Sequence, residues 1–309
     1  MSRIALWATA ALVVLNTDIA SPVSAMAQSA TSALDGTLRK IKETGALTLA
    51  YREFSVPFSY YDDKQQPVGY AMDLCYRIAD AVKKELRLDK LEVKLNPVTS
   101  ATRIPLITNG TVDLECGSTT NTLERQKQVA FTITHFVTAN RFMSKKAGNL
   151  KTVDDLRGKT VVSTSGSTNI KQIIEINAQR NLGMNILSAK DHPEAFLMVE
   201  TDRVAAFVMD DILLYSMVAS AKTPAAYEIS ADPLSVEPYA IMLRRDDAFK
   251  KVVDGAMVAI YKSGEINAIY DKWFTKPIPP KNINLNVPMG AAFKRVVGNP
   301  TDSGDPAAY

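Results

Sequence analysis

The sequence predicts an α/β protein with two Rossmann-like lobes, two crossing hinge strands that join them, and a ligand cleft between the lobes. Strand-like and helix-like segments alternate along most of the 309 residues, which is typical of parallel sheets covered by helices. Two extended runs, 135–146 and 234–243, interrupt this alternation and can cross between the lobes. The predicted boundaries are 28–137 with 237–309 for lobe one, and 138–236 for lobe two.

The periodicity of apolar residues predicts the elements of lobe one. Leu74, Ile78 and Val82 recur at helical spacing, whereas the segment that begins at Ala46 alternates as a strand does. Pro105 fits only the first turn of a helix, so a helix is expected to begin near Thr102. The other elements expected here are helix 37–43, strand 46–51, helix 73–86 and strand 91–95.

A second set of alternating units follows the first crossing run and forms lobe two. Its expected elements are strand 160–163, helix 169–180, strand 185–188, helix 194–201, strand 204–209 and helix 212–221. After the second crossing run, helices 247–263 and 265–274 complete lobe one. A proline-rich tail is then expected to wrap the surface.

Composition and charge exclude several classes of protein. The 36 basic and 33 acidic residues give a net charge of +3, which is too small to indicate binding to nucleic acid or an anionic membrane. The spacing of histidine and cysteine residues matches no metal or redox motif, and no cofactor is expected. The loop that begins at Thr164 lacks the lysine of a nucleotide-binding P-loop.

The N-terminal segment predicts export from the cytoplasm. Arg3 precedes a short apolar run, and Ala25 and Ala27 provide the small residues of a cleavage site. Residues 1–27 are therefore interpreted as a cleavable signal peptide, and the mature protein is expected in a bacterial periplasm. A retained anchor helix is the alternative. In an oxidising compartment Cys75 and Cys116 can form a disulfide, although two buried thiols are equally compatible with the sequence.

Two arginines predict an anion site. Arg103 and Arg125 each fall in or beside the first turn of a helix, where a cation is unfavourable unless an anion is bound nearby. For the second helix, Asn121 is the expected N-cap and Glu124 completes a capping box, which makes Thr122 the first helical residue. The hydroxyl-rich sequence CGSTTN lies between the two arginines. The pair therefore predicts a site for a small anion.

A series of short motifs extends this prediction to most of the chain. They are Arg52 with VPFSYYD, Gly69-Tyr70, Asp73-Leu74, RIPL from Arg103 with Asn109-Gly110, CGSTTNTLERQK from Cys116, DLRGK from Asp155, AKDH from Ala189, and MDD from Met209. Over about 38–286 the sequence resembles the periplasmic solute-binding proteins of polar amino-acid ABC importers, and in particular their glutamate/aspartate branch. That branch pairs the Cys116 position with a cysteine near Ile241, which this chain lacks.

The resemblance implies a fold, a function and partners. The fold is the type II periplasmic-binding fold, and the function is capture of L-glutamate or L-aspartate by hinge closure. The partners are an inner-membrane ABC permease and its ATPase, and the binding protein is expected to be a monomer.

The resemblance also implies how an acidic amino acid is held at its α-carbon. Arg125 would grip the α-carboxylate, because a guanidinium forms two parallel hydrogen bonds with a carboxylate. Ser118 and Thr120 would surround the α-carbon, and Asp210 would bind the ammonium group. The alternative for Asp210 is a helix N-cap, a role that Asp211 can also fill.

The side-chain carboxylate would be bound by a second group of residues. These are Arg52, Ser100, Arg103 and His192. From the opposite wall, in lobe two, Thr164, Gly166 and Thr168 would present N–H and hydroxyl groups to the ligand. Two arginines facing an amide would lack a charge partner, so glutamine should be rejected. Surface salt bridges are the alternative for the arginines, and an ordinary loop position is the alternative for His192.

The sequence also predicts where His135 and several aromatic residues lie. His135 is expected to be a structural histidine whose ring nitrogens have hydrogen-bond partners, and Phe54, Phe58 and Tyr60 are expected mainly in the core.

A periplasmic enzyme of the cyclohexadienyl or arogenate dehydratase type shares this architecture and is the alternative function. It would need a general acid, for which the sequence offers Glu53 or Glu115.

Overall fold

The structure, a computed structural model, describes residues 34–309. The predicted signal peptide and residues 28–33 of predicted lobe one lie outside the described residues. None of the helices between residues 34 and 309 combines the length and the apolar character needed to cross a bilayer.

The first part of the chain forms most of lobe one. Its helices and strands alternate, and β1 pairs in parallel with both β5 and β6. The elements are Gly36–Thr44 (α1), Ala46–Tyr51 (β1), Phe54–Ser55 (β2), Ser59–Tyr61 (β3), Pro67–Val68 (β4), Tyr70–Glu85 (α2), Glu92–Pro97 (β5), Arg103–Thr108 (α3), Leu114–Cys116 (β6), Leu123–Gln126 (α4) and Ala130–Phe131 (β7).

The middle of the chain forms lobe two around a six-stranded sheet. Its order is β10-β9-β11-β8-β12, and β13 also pairs with β8. The elements are Phe136–Lys145 (β8), Thr160–Thr164 (β9), Thr168–Gln179 (α5), Asn185–Ala189 (β10), His192–Glu200 (α6), Ala206–Asp210 (β11), Asp211–Ser220 (α7), Tyr227–Ile229 (β12) and Ser235–Tyr239 (β13).

The chain then returns to lobe one. Strand β14 pairs antiparallel with both β6 and β7, which completes a five-stranded sheet of order β5-β1-β6-β14-β7. The remaining elements are Met242–Leu243 (β14), Asp247–Lys262 (α8), Glu265–Phe274 (α9), Pro277–Ile278 (β15), Ile283–Asn284 (β16) and Ala291–Gly298 (α10).

Two crossings between the sheets confirm the predicted architecture. The chain leaves the lobe-one sheet at β7 and enters the lobe-two sheet at β8; it returns between β13 and β14. The extended run 234–243 is therefore two strands, one in each sheet, rather than one strand. The predicted lobe boundaries, 137/138 and 236/237, fall inside β8 and in the middle of β13. These boundaries stay a prediction.

Three segments differ from the expectations. Helix α2 begins at Tyr70 rather than at residue 73, and it is preceded by Gly69, whose φ of 142° and close approach to the Phe58 carbonyl exclude a side chain. The side chain of Thr122, not Asn121, caps α4, so the predicted capping box is wrong. The proline-rich tail contains a helix, α10, because its apolar residues pack on lobe one through Phe293 and Val296.

An aromatic cluster packs beneath the crossing segments. Phe58 and Phe136 contact each other and both contact Tyr239 and Phe274, at ring-centroid distances of 4.9–6.2 Å. His135 lies in this cluster, and neither of its ring nitrogens has a hydrogen-bond partner, so the expectation of a satisfied histidine is wrong. Burial lowers the pKa of His135 to about 3, and the ring packs as a neutral group.

The structure also decides the expectations about three aromatic residues and about the two cysteines. Phe58 and Tyr60 are buried as expected, whereas Phe54 is 47% exposed. Cys75 on α2 and Cys116 on β6 form a disulfide, with their Cα atoms 6.2 Å apart. The bond ties α2 to the strand that leads into the candidate site.

Candidate functional site

A narrow polar cavity of about 10 Å³, little more than the space of one water molecule, lies where the lobes meet. Nine of the eleven predicted ligand residues are buried, and only Gly166 and Thr168 are not. Seven of the eleven line the cavity: Ser100, Arg103, Ser118, Thr120, Thr168, His192 and Asp210. The remaining four, Arg52, Arg125, Thr164 and Gly166, do not line it directly.

Three buried guanidinium groups from lobe one form what we call the arginine floor: Arg52, Arg103 and Arg125. Arg52 directly follows β1, and Arg103 is the first residue of α3 after the N-cap Thr102, as predicted. Burial and the charge of Arg103 lower the pKa of Arg52 to about 10 and that of Arg125 to about 9. Salt bridges on the surface, the alternative for Arg52 and Arg103, are excluded by their exposures of 4% and 3%.

A buried carboxylate lies beneath the arginine floor. Glu115, on β6, is fully buried, and its Oε1 lies 4.0 Å from Arg103 Nη1. The Thr119 hydroxyl links the two charges, because it donates to Glu115 and accepts from Arg103. The charge of Glu115 also raises the pKa values of Arg52 and Arg125, against the effect of burial. Glu115 therefore offsets part of the positive charge of the floor.

Arg125 reaches from lobe one to lobe two. The Thr122 hydroxyl accepts a hydrogen bond from the Arg125 amide at 3.1 Å, which caps α4. The guanidinium donates to the Thr120 carbonyl at 2.8 Å and to the Gly166 carbonyl of lobe two at 3.2 Å. The Arg125 guanidinium therefore bridges the two lobes.

Two buried carboxylates, Asp210 and Glu237, form the acidic wall opposite the floor. Asp210 ends β11, and its carboxylate accepts hydrogen bonds from Asn169 Nδ2 at 2.7 Å and from the Tyr239 hydroxyl. Burial, and then the charge of Glu237, raises the pKa of Asp210 to about 8.

The Asp210 side chain does not cap a helix, which was the alternative role for this residue. Asp210 occupies the N-cap position of α7, but its side chain makes no capping hydrogen bond. Asp211, which was expected to be able to cap, accepts instead from Thr138 and from Arg141 Nε at 3.1 Å. The Asp210 carboxylate is therefore held in the cavity by Asn169 and Tyr239.

His192 is the first residue of α6 and is buried rather than an ordinary loop residue. Its Nδ1 lies 2.9 Å from the Thr164 hydroxyl, and its Nε2 has no partner. Burial and the charges of Arg52 and Arg103 hold its pKa well below the usual range, so the imidazole is neutral. In the tautomer that accepts from the Thr164 hydroxyl at Nδ1, Nε2 carries the proton and can donate it to a ligand.

Gly166 allows the lobes to approach closely. Its φ is +75°, and a Cβ at this position would lie 2.6 Å from Ala101 Cα and 2.7 Å from the Ser100 carbonyl oxygen. A residue with a side chain would therefore hold the lobes apart. The neighbouring Thr168 hydroxyl donates to Glu237 at 2.9 Å and lies 3.4 Å from the Thr120 hydroxyl of lobe one.

Several polar atoms around the cavity have no protein partner. Among the described residues, buried and unpaired side-chain atoms include Arg52 Nη1, Arg103 Nε, Ser118 Oγ and His192 Nε2. All four belong to groups that can donate hydrogen bonds, and two carry a positive charge. Buried donors of this kind are expected to have acceptors, so the arrangement suits an anionic ligand.

Sequence reasoning missed several residues at the site, four of which are polar residues of lobe two and the second crossing. Ser167 caps α5 through its hydroxyl, which its place directly before a predicted helix could have indicated. Asn169, Glu237 and Tyr239 surround Asp210, but they come from α5 and β13, which are distant from it in sequence. No local pattern signals such a grouping.

A larger groove of about 1010 Å³ lies elsewhere between the lobes. Its lining is largely apolar and includes Tyr60, Phe196, Met217 and Pro279, together with Glu53. None of the eleven predicted ligand residues lines it. The polar cavity is therefore the candidate site for a charged ligand.

Comparison with known proteins places this arrangement in a family. The chain is 54% identical over 87% of its length to the L-glutamate/L-aspartate-binding protein of Pseudomonas aeruginosa, of which the match covers 90%. It is 47% identical over 90% of its length to the glutamate/aspartate import solute-binding protein of Escherichia coli, 92% of which is covered.

A solved structure and a family model agree with these relatives. An ancestral arginine-binding protein bound to arginine superposes with a TM-score of 0.67 at 27% identity, over 74% of this chain and 98% of the other. All three relatives are binding proteins, which disfavours the enzyme alternative for this chain. The model for bacterial extracellular solute-binding proteins, family 3, matches residues 47–276. The chain therefore belongs to the bacterial extracellular solute-binding proteins of family 3.

Proposed function

We propose that this protein captures L-glutamate or L-aspartate outside the cytoplasm and delivers it to an inner-membrane ABC permease with its ATPase. The observation that carries the proposal is the division of charge across the polar cavity. Three buried guanidiniums come from lobe one, of which Arg103 lines the cavity directly, and the buried carboxylate of Asp210 lines it from lobe two. An acidic amino acid carries the complementary set of two carboxylates and one ammonium group.

Each charge of the ligand would have its own partner. Arg125 would hold the α-carboxylate, with Ser118 and Thr120 around the α-carbon, and Asp210 would bind the ammonium group. The side-chain carboxylate would lie against Arg52 and Arg103. These assignments agree with the unpaired donors Arg52 Nη1, Arg103 Nε and Ser118 Oγ, each of which needs an acceptor.

Lobe two would complete the site on closure. His192 would donate from Nε2 to the side-chain carboxylate while Thr164 fixes its ring, and Thr168 would add a hydroxyl near the α-carbon. Gly166 would permit the approach itself, because a larger residue would meet Ser100. Closure is favourable only if ligand contacts from lobe two outweigh the advantage of the open form.

Membership of this family supports a proposal about the compartment in which the protein acts. We infer that the leader 1–27 is cleaved and that the mature protein acts as a monomer in the periplasm. Hinge closure would then mark the loaded form for the permease. The identities of the close relatives support this assignment.

Titration calorimetry with a panel of amino acids tests the proposed function. L-glutamate and L-aspartate should bind, and glutamine and asparagine should bind about 100-fold more weakly or worse, because an amide leaves two arginines without a charge partner. Arginine should not bind. Equal affinity for glutamate and glutamine would refute the proposal.

A further inference from the structure

The last eleven residues, 299–309, form a segment that we call the C-terminal strap. It lies beyond the part of the chain that the family model matches, 47–276. None of the roles assigned above involves it. It nevertheless contacts two parts of lobe one that lie next to the site, besides α8. They are the segment 118–126, which we call the carboxylate loop, and the start of the first crossing.

The strap is hydrogen-bonded to the carboxylate loop. Asn121 Nδ2 donates to the carbonyl oxygens of Asp302, at 2.8 Å, and Ser303, at 3.3 Å. Gln126 Nε2 donates to the same Asp302 carbonyl at 2.9 Å and to Asn121 Oδ1, also at 2.9 Å. The Asn121 side chain, which is fully buried, is therefore committed to the strap instead of to helix capping.

A glycine sets how closely the strap approaches the loop. A Cβ on Gly304 would lie 2.7 Å from both the Leu123 amide nitrogen and the Thr122 carbonyl carbon. These are backbone atoms of the first turn of α4, and they cannot move aside as a flexible side chain can. That turn also carries Arg125, whose amide is capped by Thr122. A side chain at Gly304 would therefore press against the turn that presents Arg125.

The strap is also bonded to the start of the first crossing. The Thr134 amide donates to the Thr301 carbonyl at 2.8 Å, and the Thr134 hydroxyl lies 2.6 Å from the Tyr309 hydroxyl. Lys250 on α8 forms an ion pair with Asp302 at 2.9 Å, which fixes the strap to lobe one. Thr134 lies two residues before β8, so the strap reaches the segment that leads out of lobe one.

The carboxylate loop is held from the other side by the returning strand. The Asn121 amide donates to the Pro238 carbonyl at 2.7 Å, and the Ala240 amide donates to the Thr119 carbonyl at 3.1 Å. Helix α4 has only four residues, which is too short to be stable by itself. Its position therefore depends on what packs against it, namely the strap and the second crossing.

We propose that the C-terminal strap is a positioning element, which holds the carboxylate loop and Arg125 in the binding geometry relative to the two crossing segments. The site is then organised before the ligand arrives, and less ordering is needed on binding. The link from the strap to ligand affinity rests on the proposed function, in which Arg125 holds the α-carboxylate. The effect on loop order does not rest on it.

Two matched glycine substitutions test the proposal. Gly304→Ala should displace the strap, lower glutamate affinity at least about tenfold through faster dissociation, and increase hydrogen exchange of the amides in 122–126 of the ligand-free protein. Gly298→Ala is the control, because a Cβ there meets no atom within 4 Å. It should leave both properties unchanged.

The measurements distinguish this inference from the proposed function. If Gly304→Ala exchanges and binds like the unaltered protein, the strap is not a positioning element. If exchange rises equally in the lobe-two sheet, the effect is general destabilisation and the proposal is also overturned. If the unaltered protein does not bind glutamate, the proposed function fails, while exchange in 122–126 still decides the role of the strap.

Discussion

The arginine floor and the acidic wall use opposite means to hold charge in the same cavity. The floor places three guanidiniums in lobe one over a single buried carboxylate, Glu115. The wall places Asp210 beside a second carboxylate, Glu237, whose charge adds to burial in raising the pKa of Asp210. The floor is therefore short of negative charge and the wall is short of positive charge.

This difference suggests why closure can depend on the ligand. A ligand with only carboxylates satisfies the floor and leaves Asp210 facing an anion. A ligand with only an ammonium group does the reverse. A zwitterion with two carboxylates complements both surfaces, so it alone gains contacts from both lobes when they close. Buried charges without partners are costly, which makes the discrimination steep.

Removal of Arg125 should have the largest effect, since this residue belongs to the floor and also contacts lobe two through the Gly166 carbonyl. Arg125→Ala should weaken glutamate binding by at least about 100-fold, because truncation leaves a buried carboxylate unpaired. Titration calorimetry measures the loss. Arg157→Ala, at an exposed arginine of lobe two, is the control and should bind normally. Unchanged affinity in Arg125→Ala would show that the floor does not hold the α-carboxylate.

Arg103→Met sharpens the comparison within the floor. The substitution keeps an unbranched side chain of similar reach but removes the charge, so it should weaken glutamate binding about 10- to 100-fold and change glutamine binding much less. The ratio of the two affinities, obtained by competition calorimetry, is the readout. An equal loss for both ligands would mean that Arg103 does not distinguish the side-chain carboxylate from an amide.

The acidic wall is expected to release a proton when the ligand binds. Because the pKa of Asp210 is raised to about 8, the ligand-free protein carries a proton there at neutral pH. An ammonium ligand requires the ionised carboxylate, so binding should release this proton. Glutamate affinity should therefore rise with pH, by up to about tenfold per unit below pH 8, and become constant above it.

Calorimetry in buffers of different ionisation enthalpy counts the released protons. Nearly one should be released at pH 7 by the unaltered protein and none by Asp210→Asn. The same raised pKa stabilises the ligand-free fold at low pH, and this contribution is lost as pH rises from the unfolded value of 3.8 through about 8. Release of a proton by Asp210→Asn equal to that of the unaltered protein would assign the proton to another group.

The disulfide should have the smallest effect on binding. Neither Cys75 nor Cys116 lines the polar cavity, so replacing both with serine should change glutamate affinity by less than about twofold. Stability should fall by about 2–4 kcal/mol, because the bond closes a long loop in the unfolded chain. Urea unfolding with and without reductant measures this change. A large loss of affinity would place the disulfide among the determinants of the arginine floor.

Local patterns predicted the regular elements well and the polar contacts poorly. Strand 46–51 and helix 265–274 are confirmed to the residue, because alternation and helical periodicity are properties of short segments. Asn121 has the composition of an N-cap, but its partner is Asp302, 181 residues away. Tyr239 and Asn169 at Asp210 are also distant in sequence. Such contacts depend on tertiary packing, which no local pattern encodes.

The crystal structure of the complex with L-glutamate tests the central claim most directly. The account predicts the α-carboxylate on Arg125, the side-chain carboxylate within hydrogen-bonding distance of Arg52 and Arg103, and the ammonium group on Asp210. A ligand bound in the groove beside Tyr60 and Phe196, or one whose ammonium group contacts no carboxylate of lobe two, would contradict it.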